Sequence, residues 1–303
     1  MKKRPNINPS REGKAEILTM AELAVSTAHM GSQGPITEST RGLISLMEKV
    51  YRERGFDFRG YKETTLTRRV TRRLRARGVQ TYADYARVLD DDQTEYDRLF
   101  NDLTINVTSF FRDEIAFKAL EEVALPALIT KGETNIRIWS AGCATGEEPY
   151  SIAMSLMGFL DRPIGLWNVS ILATDIDTKA LERAREGFFT TKEVEGIRPA
   201  WLGRYFIPEG GGFCVKPALK QLVIFEEHNL VSDAPYSGLD LVVCRNVLIY
   251  LNPMPQAQMI KGFYEGLKER GFLLLGKSEV PVGETRTLFN CIDKKAKLYQ
   301  KAG

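Results

Sequence analysis

The pattern of apolar positions divides the chain into a helical part and a part in which strands and helices alternate. Between residues 36 and 102, apolar side chains recur at steps of three and four, which predicts amphipathic helices. The first helix has the apolar positions Leu43, Ile44, Met47, Val50 and Tyr51. It is predicted to end at Gly55, and two later short helices have Thr81 and Asp91 or Asp92 as suitable N-caps. Residues 36–102 are therefore predicted to form a small helical bundle.

From about residue 103 onward, strand and helix patterns follow each other. A junction and a long helix are predicted over about residues 103–132. The predicted strands of the sheet are NIRIWSA, LWNVSILATD, QLVIFEEHNL, LDLVVCRN and GFLLLGKS, and PMPQAQMIKGFYEGLKER is a predicted helix before the last of them. This alternation predicts a doubly wound, mostly parallel α/β sheet. Residues 190–220, with three glycines at 210–212, predict an inserted β-hairpin, and an antiparallel pair is expected around Asp293.

Composition narrows the class of protein. The chain has 303 residues, of which 43% are apolar, so it is long enough for two domains. It has no run of about 18 apolar residues, and we expect no membrane insertion. The polar residues 1–35 lack an apolar signal core and are predicted to form a mobile leader. Four cysteines without metal or disulfide spacing and only two histidines indicate a reducing cytoplasm and no metal site.

The segment IWSAGCATGEEP, residues 138–149, predicts a strand, a glycine turn and the start of a helix. In α/β sheets such a turn commonly holds a nucleotide-like ligand. Gly142 and Gly146 allow a tight turn and a close backbone approach. Glu147 and Glu148 place negative charge where a phosphate would be repelled, so we expect a ligand with hydroxyls or positive charge. S-adenosylmethionine meets that description, and the alternative is an ordinary helix N-terminus with favourable acids.

Polar residues also stand at the carboxyl ends of the next predicted strands, where ligands of open α/β sheets bind. Asp175 is interpreted as a ribose ligand, with an N-cap of the following helix as the alternative. It lies 33 residues after Gly142, so the dinucleotide spacing of about 20 is not matched. Asn229 is a candidate for reading the amino edge of adenine, with Leu230 packed nearby, although a loop asparagine is equally typical of a turn.

The strand LDLVVC runs directly into Arg245 and Asn246, and Tyr250 follows four residues later. A hydroxyl at this position can lie beside a reacting centre. The alternative for Tyr250 is a buried tyrosine with one hydrogen bond.

The segment NVTSFFRD precedes the sheet and contains both polar and aromatic residues. Thr108 or Ser109 is the expected N-cap of the long helix. Asn106, Thr108 and Arg112 are candidate polar site residues, and Arg112 lies one turn beyond Thr108, so the two can share a face. The alternative for Arg112 is a surface salt bridge to one of the two acids that follow it.

The helix TTLTRRVTRRLRARG, which is predicted to end at Gly78, has a narrow apolar stripe and many arginines. Six of them occur within ten residues without an intervening acid, namely Arg68, Arg69, Arg72, Arg73, Arg75 and Arg77. Helical spacing places four of these near one face, namely Arg69, Arg72, Arg73 and Arg77. The usual alternative is a solvated face. Because arginine binds carboxylates and phosphates well, an acidic partner is preferred, either an acidic protein surface or a nucleic acid. The run has no interleaved aromatics and matches no nucleic-acid motif, so we expect no nucleic-acid partner.

Five segments, in order, carry a resemblance to a known family: NVTSFFRD, SAGCATGEEPYSIA, ATDID, EEHNL and CRNVLIY. The sequence resembles the CheR-type methyltransferases, which methylate glutamates on bacterial chemotaxis receptors. The resemblance runs from about residue 40 to the C-terminus. It implies an all-helical N-terminal domain at 36–102 and an S-adenosylmethionine-dependent methyltransferase domain at 103–303, with a small β-subdomain inserted at 190–220.

The resemblance also implies roles for individual residues. The implied site consists of Asn106, Thr108, Arg112, the turn from Gly142 to Glu148, Asp175, Asn229, Leu230, Arg245, Asn246 and Tyr250. Within it, Glu147 or Glu148 contacts the methionine part of the cofactor and Asp175 the ribose. Arg112 and Tyr250 lie nearest to the transferred methyl. S-adenosylhomocysteine is the implied product.

The implied partner is the helical cytoplasmic domain of a chemotaxis receptor. The resemblance assigns docking on its acidic methylation helices to Arg68, Arg69, Arg72, Arg73 and Arg77. In some members the β-subdomain binds a pentapeptide at the receptor C-terminus. Because the connection around Gly210–Gly212 is short here, we do not expect such tethering.

Two other functions remain open from the sequence. A nucleic-acid methyltransferase would place the arginine helix on phosphates and show steeply salt-dependent binding. A non-catalytic, cofactor-sensing or scaffold protein would bind S-adenosylmethionine without transferring its methyl. The presence of Arg112 and Tyr250 favours an enzyme. Glutamate is ionised at neutral pH, so its methylation needs no general base, which agrees with the shortage of histidine.

Overall fold

The computed structural model describes residues 38–104, 106–130, 135–160 and 167–303. The mobile leader predicted at residues 1–35 lies outside them. The described chain begins with a helical unit and continues into a sheet that carries a hydrophobic cluster on each face. No helix in these described stretches has the length and apolar character needed to cross a membrane.

The helical unit shows how local sequence sets helix ends. It consists of α1 (Glu38–Arg54), α2 (Glu63–Arg77), α3 (Tyr82–Asp91) and α4 (Thr94–Leu103). Gly55 and Gly78 follow α1 and α2 with left-handed φ angles of 73° and 70°, which glycine adopts without strain. Thr81 caps α3 by accepting a backbone N–H of that helix at 3.1 Å. At α4 the N-cap position is Gln93 rather than either preceding aspartate, although Asp92 accepts the first helical N–H at 3.1 Å.

The second part of the chain contains ten strands and seven further α-helices among the described residues. The strands are β1 (Asn135–Ala141), β2 (Asn168–Asp175), β3 (Phe188–Thr190), β4 (Phe206–Glu209), β5 (Gly212–Val215), β6 (Val223–Glu227), β7 (Leu239–Cys244), β8 (Leu267–Leu275), β9 (Phe289–Asp293) and β10 (Leu298–Lys301). The helices are α5 (Glu114–Ala119), α6 (Leu125–Thr130), α7 (Glu147–Phe159), α8 (Thr178–Glu186), α9 (Pro199–Tyr205), α10 (Pro217–Lys220) and α11 (Pro253–Gly266).

The large sheet has the strand order β6–β2–β1–β7–β8–β10–β9. Strands β6, β2, β1, β7 and β8 are parallel, β10 pairs antiparallel with β8, and β9 pairs antiparallel with β10. The doubly wound, mostly parallel sheet predicted from the sequence is confirmed, as is the closing antiparallel pair. Because β2 and β7 flank β1 on opposite sides, a crevice opens at their carboxyl ends, where ligands of such sheets bind.

Alternating side chains along the strands explain why both faces of the sheet are covered. Ile136 and Ile138 of β1 pack into the cluster that contains α7, whereas Trp139 and Ala141 pack into the cluster that contains α11. Every residue of β7 is buried, as expected for a central parallel strand.

The antiparallel hairpin predicted around the three glycines is present in a small sheet of order β3–β5–β4. Gly210 and Gly211 form the turn between β4 and β5 with φ angles of 53° and 84°. Gly212 begins β5, where a Cβ atom would lie 2.4 Å from the Phe189 carbonyl oxygen. This position therefore requires glycine.

The helix predicted after the helical bundle begins later than expected. α5 starts at Glu114, and its N-cap position is Asp113, which has a φ of 62° and makes no side-chain cap. The prediction of Thr108 or Ser109 as the N-cap was wrong. The segment is held instead by tertiary contacts, because the Phe111 N–H donates to a serine hydroxyl of α7 at 3.0 Å.

Two more helix boundaries differ from the predictions. The π-helical turn Leu120–Ala124 separates α5 from α6, and Pro126, which lacks an amide hydrogen, follows it. The helix predicted through LKER ends at Gly266, because Leu267 already pairs with Leu239 of β7. Strand pairing therefore overrides the local helical pattern there.

Candidate active site

A cleft that opens to solvent lies at the carboxyl ends of β1, β2 and β7. Of the predicted site residues, the cleft is lined by Asn106, Thr108, Arg112, Gly142, Glu148, Asp175, Asn229, Leu230, Arg245, Asn246 and Tyr250. Glu147 is not among the lining residues. The sequence segments that carry the candidate chemistry thus converge on one place.

Gly142, in the turn after β1, packs too closely against its surroundings to carry a side chain. Gly142 has a φ of 80°, and a Cβ atom there would lie 2.4 Å from Val247 Cγ2. The amides of Gly142 and Cys143 both donate to the Thr174 carbonyl, at 2.8 and 2.9 Å. These bonds hold the turn against the end of β2, next to the predicted ribose ligand.

Asp175 is held in the cleft by two backbone amides. Its Oδ2 accepts the Ala144 N–H at 2.8 Å and its Oδ1 accepts the Asp177 N–H at 3.0 Å. The N-cap of α8 is Asp177, which accepts two backbone N–H groups of that helix. The N-cap alternative for Asp175 was therefore wrong. Burial raises the pKa of the Asp175 carboxyl, and no basic side chain in the described residues pairs with it.

The two acids that open α7 have different surroundings. Glu148 faces the cleft and accepts the Ser140 hydroxyl at 2.8 Å and Arg245 Nη1 at 3.3 Å. Glu147 is buried outside the cleft, where it accepts the Thr145 hydroxyl at 2.7 Å. Burial raises the pKa of both carboxyls, although Arg245 opposes this rise at Glu148. Glu148 lines the cleft and Glu147 does not, so the structure brings only Glu148 of the two to the predicted cofactor site.

Arg245 connects the segment before α5 to the sheet. Its side chain is 1% exposed. Its Nη2 donates to Asp113 Oδ2 at 2.6 Å and to the Arg112 carbonyl at 2.7 Å. Together with the bond to Glu148, these contacts occupy much of the guanidinium. Arg245 therefore borders the cleft, but its guanidinium mainly makes hydrogen bonds within the protein.

Arg112 differs from Arg245 in having no acidic partner. Its Nη1 donates to the Val107 carbonyl at 2.7 Å. Neither Asp113, which pairs with Arg245, nor Glu114 forms an ion pair with it in the described structure. Within the described residues the surface salt bridge considered for Arg112 is absent, and Arg112 is one of the residues that line the cleft.

Two asparagines show how the loops of the cleft are fixed. Asn106 Nδ2 donates to Asp177 Oδ2 at 2.7 Å, which ties the segment after α4 to the start of α8. Asn229 Oδ1 accepts the Val231 N–H at 3.0 Å, so the turn interpretation of Asn229 holds. Its side-chain amide remains beside the cleft, next to Leu230.

Asn246 has a polar atom that the protein leaves without a partner. Its φ angle is 61°, a left-handed conformation that is uncommon outside glycine. Its Oδ1 is buried and has no hydrogen-bond partner among the described residues. A buried acceptor beside a cleft can accept a donor from a ligand.

Among the cleft-lining residues that sequence reasoning missed, two have titratable side chains. Tyr61 comes from the helical unit, and burial together with the nearby Asp175 raises the pKa of its hydroxyl. His228 follows β6, and burial lowers the pKa of its imidazole. His228 directly precedes Asn229 and so had a positional signal, whereas Tyr61 had none.

Comparison with known families decides what this arrangement belongs to. The family described as "CheR methyltransferase, SAM binding domain" matches residues 106–298, and "CheR methyltransferase, all-alpha domain" matches residues 42–104. The chain belongs to the CheR methyltransferase family. It is therefore an S-adenosylmethionine-dependent methyltransferase, and the predicted fold class and cofactor are confirmed. The comparisons give no support to the nucleic-acid alternative.

Several relatives of this CheR-family chain match it over most of its length. The chemotaxis protein methyltransferase of Salmonella typhimurium is 35% identical over 280 residues, which cover 89% of this chain and 90% of the relative. That of Escherichia coli is 34% identical over 242 residues, with 77% and 82% coverage. An uncharacterized 104.1 kDa protein of Rhodobacter capsulatus is 35% identical over 247 residues, which cover 80% of this chain. The chain spans only 26% of that protein.

Solved structures resemble the chain more weakly. The S-adenosylmethionine-dependent methyltransferase SibL covers 52% of it at 15% identity, with a TM-score of 0.31. A structural similarity this weak gives no information about the function of this CheR-family protein.

The cleft suits S-adenosylmethionine. The cofactor carries an ammonium group and ribose hydroxyls, which are hydrogen-bond donors, and it has no phosphate. Asp175, Glu148 and the unpartnered Asn246 Oδ1 are acceptors at the same cleft. The residues of this CheR-family chain therefore match the donor groups of its cofactor.

The arginine helix α2 divides into internal and exposed side chains. Arg73 donates to the fully buried Glu95 at 2.7 and 2.9 Å, and Tyr85 donates to the same carboxylate at 2.8 Å. Arg73 also pairs with Asp102 at 3.4 Å. Its assignment as a partner-binding residue was wrong, because its guanidinium is already bound within the helical unit.

The other arginines of α2 differ in how freely they face solvent. Arg69 is half-buried, and Arg77 pairs with Asp92 at 3.3 Å. Arg68, Arg72 and Arg75 are exposed, as is Arg77. The spacing of four and three residues places Arg68, Arg72 and Arg75 on one stripe of the helix.

Proposed function

We propose that this chain transfers the methyl group of S-adenosylmethionine to glutamate side chains on the cytoplasmic helical domain of bacterial chemotaxis receptors. The products are glutamate methyl esters and S-adenosylhomocysteine. Family membership and the relatives named chemotaxis protein methyltransferases support the assignment. The choice of glutamate as the methyl acceptor goes beyond those names and depends on the cleft itself.

The observation that carries the choice of glutamate is the state of Arg112. Arg112 lines the cleft, its guanidinium donates to one backbone carbonyl, and it has no acidic partner in the described structure. A planar guanidinium with free donors is well suited to bind a carboxylate. A glutamate side chain entering the cleft would supply the missing partner.

The residues that hold the cofactor follow from the acceptors of the cleft. Asp175 accepts the ribose hydroxyls. Glu148 and Asn246 Oδ1 receive the ammonium group, and Asn229 and Leu230 flank the adenine. S-adenosylmethionine supplies an electrophilic methyl group on a positively charged sulfur.

Arg112 and Tyr250 are assigned to the incoming glutamate. Its carboxylate is already ionised at neutral pH, because the unperturbed pKa is about 4.3, so no general base is needed. Arg112 orients the carboxylate, and the Tyr250 hydroxyl steadies one of its oxygens. Too tight a clamp would weaken the nucleophile, so Arg112 acts by positioning rather than by activation. The remaining task of the protein is to align the groups and exclude water.

The exposed stripe of α2 is assigned to docking. Arg68, Arg72 and Arg75 carry charges that the helical unit does not fully neutralise, and acidic receptor helices would complement them. Arg73 contributes indirectly, by holding α2 against the rest of the helical unit.

The test of this proposal is transfer of radiolabelled methyl to a purified receptor cytoplasmic fragment. We expect label on the fragment that is released by mild base, as a carboxylate ester requires. A fragment with glutamine in place of the acceptor glutamates serves as the control and should remain unlabelled. Base-stable label, or equal labelling of the control, would contradict glutamate esterification.

A further inference from the structure

The turn that carries Tyr250 is held from both sides by charged side chains that do not line the cleft. This 3₁₀ turn, Leu248–Tyr250, lies between β7 and α11. Amide hydrogens of the turn region face Glu279, which follows β8. Carbonyl oxygens of the turn face Lys62, which stands at the N-cap position of α2 in the helical unit.

The hydrogen bonds that the Glu279 carboxylate accepts all come from backbone amides. It is 3% exposed, and no basic side chain pairs with it in the described structure. Its Oε2 accepts the N–H groups of Gly276 and Asn246 at 2.7 and 2.9 Å. Its Oε1 accepts the Ile249 N–H at 3.2 Å. One carboxylate thus joins the end of β8 to the segment that contains Asn246 and Tyr250.

Lys62 holds the opposite side of the same turn. Its Nζ donates to the Ile249 carbonyl at 2.8 Å, and its backbone N–H donates to the Tyr250 carbonyl at 2.8 Å. Asn252 extends this contact by donating its backbone N–H to the Gly60 carbonyl at 2.9 Å. The helical unit is therefore hydrogen-bonded to the turn at several successive residues.

The peptide groups of Ile249 are consequently fixed by two charges. A carboxylate accepts its N–H and an ammonium donates to its carbonyl, and such charge-assisted bonds are stronger than neutral ones. The neighbouring Asn246 has a left-handed φ, which persists only where the surroundings enforce it. Glu279 supplies part of that constraint through the Asn246 amide.

We propose that Lys62 and Glu279 are positioning residues that jointly place Tyr250 and Asn246 for methyl transfer. The inference rests on the proposed function, since it assigns those two residues to the site. It gives the helical unit a second role. The residue at the N-cap position of α2 also holds the turn that carries Tyr250, so this end of the helical unit helps to build the active site while α2 presents arginines to a partner.

The experiment compares Lys62→Met, Glu279→Gln and the double variant with wild type. Lys62→Met keeps a long apolar stem but removes the ammonium. Glu279→Gln keeps the size but replaces one acceptor oxygen by a donor. Lys62→Arg is the conservative variant, and Lys261→Met, at an exposed lysine of α11, is the matched control. Methylation kinetics, calorimetric affinity for S-adenosylhomocysteine, thermal unfolding and hydrogen exchange at residues 246–250 are measured for each.

We expect Lys62→Met to lower kcat about tenfold or more, with affinity for S-adenosylhomocysteine unchanged. Glu279→Gln should lower both kcat and that affinity, because it also releases Asn246. Both should speed exchange at residues 246–250, and the double variant should lose less than the product of the single effects. Lys62→Arg should retain most of the activity, and Lys261→Met should match wild type.

A kcat for Lys62→Met equal to wild type, a loss of activity that only follows a loss of folded protein, or independent effects in the double variant would overturn the inference. Failure of the proposed function is distinguishable, because wild type itself would then not label the receptor fragment. In that case hydrogen exchange still tests the positioning role of Lys62 and Glu279. Unchanged exchange at residues 246–250 in both single variants would refute that role.

Discussion

The cleft and the arginine helix α2 both concentrate charge, but the surrounding protein treats the two sets of charges differently. Among the described residues of the cleft, Asp175 is buried without a basic partner, and Arg112 has no acidic one. On α2, Arg73 is bound to the buried Glu95 within the same unit. The difference shows that residues in one run of like charges can have different roles, because some are paired inside the fold and others are exposed. Charges that the fold leaves unpaired mark the surfaces where ligands are expected.

The largest effect on stability is expected from Arg73→Ala. Removing Arg73 leaves Glu95 buried with less compensation, so the free energy of unfolding should fall by about 3 kcal/mol. Arg72→Ala is the matched control, because the Arg72 side chain is 69% exposed and lies 3.5 Å from Asp102. It should change stability by less than about 0.5 kcal/mol and raise KM for the receptor fragment. Urea unfolding measures both variants, and equal losses would erase the distinction between internal and exposed arginines.

On activity, Arg112→Ala should have the largest effect. We expect kcat to fall about a hundredfold while affinity for S-adenosylhomocysteine changes little, because Arg112 is assigned to the acceptor carboxylate. Steady-state kinetics and a binding titration separate the two quantities. Arg87→Ala, at an exposed arginine of α3 that pairs with Asp84, is the control. Lost affinity with intact turnover at saturation would show that Arg112 serves the cofactor instead.

Asp175→Ala should lower the affinity for the cofactor rather than kcat. Losing hydrogen bonds between a carboxylate and the ribose hydroxyls should weaken cofactor binding about tenfold or more. The turnover at saturating cofactor should fall less. Calorimetric titration with S-adenosylhomocysteine measures the change, and an unaltered affinity would remove Asp175 from the cofactor site.

A smaller effect is expected from pH. Burial raises the pKa of Asp175 and of Glu148 in the free protein. The cofactor donors favour the ionised carboxyls, so binding lowers these pKa values and releases protons. Affinity for the cofactor should therefore be highest above the raised pKa values of the two carboxyls. It should fall as pH drops through these values, by at most about tenfold per pH unit for each carboxyl. Titrations across acidic pH test this, and affinity that rises on acidification would contradict the sign.

The smallest expected effect concerns the small sheet. Because the β4–β5 connection is only a short glycine turn, we predict no measurable affinity for a receptor-tail pentapeptide. Fluorescence anisotropy with a labelled pentapeptide tests this. Saturable binding would show that this sheet also contacts the receptor.

Much of the cleft was predictable because glycines and polar residues at the ends of predicted strands indicate turns at the edge of the sheet. Gly142 and Asp175 stand at strand ends, where the fold class alone places ligands. The roles of Glu147 and Glu148 could not be separated, because which of two adjacent acids faces the cleft depends on the packing of α7. The pairing of Arg73 with Glu95 was equally hidden, since it joins residues 22 positions apart on different helices. Tyr61 and Lys62 meet the sheet only through tertiary contacts.

The most direct test of the central claim is calorimetric titration of the purified chain with S-adenosylmethionine and with S-adenosylhomocysteine. The acceptors of the cleft predict saturable binding of both at one site, and because binding releases protons, the observed heat should change with the ionisation enthalpy of the buffer. No detectable heat with either compound, in any buffer, would contradict the account.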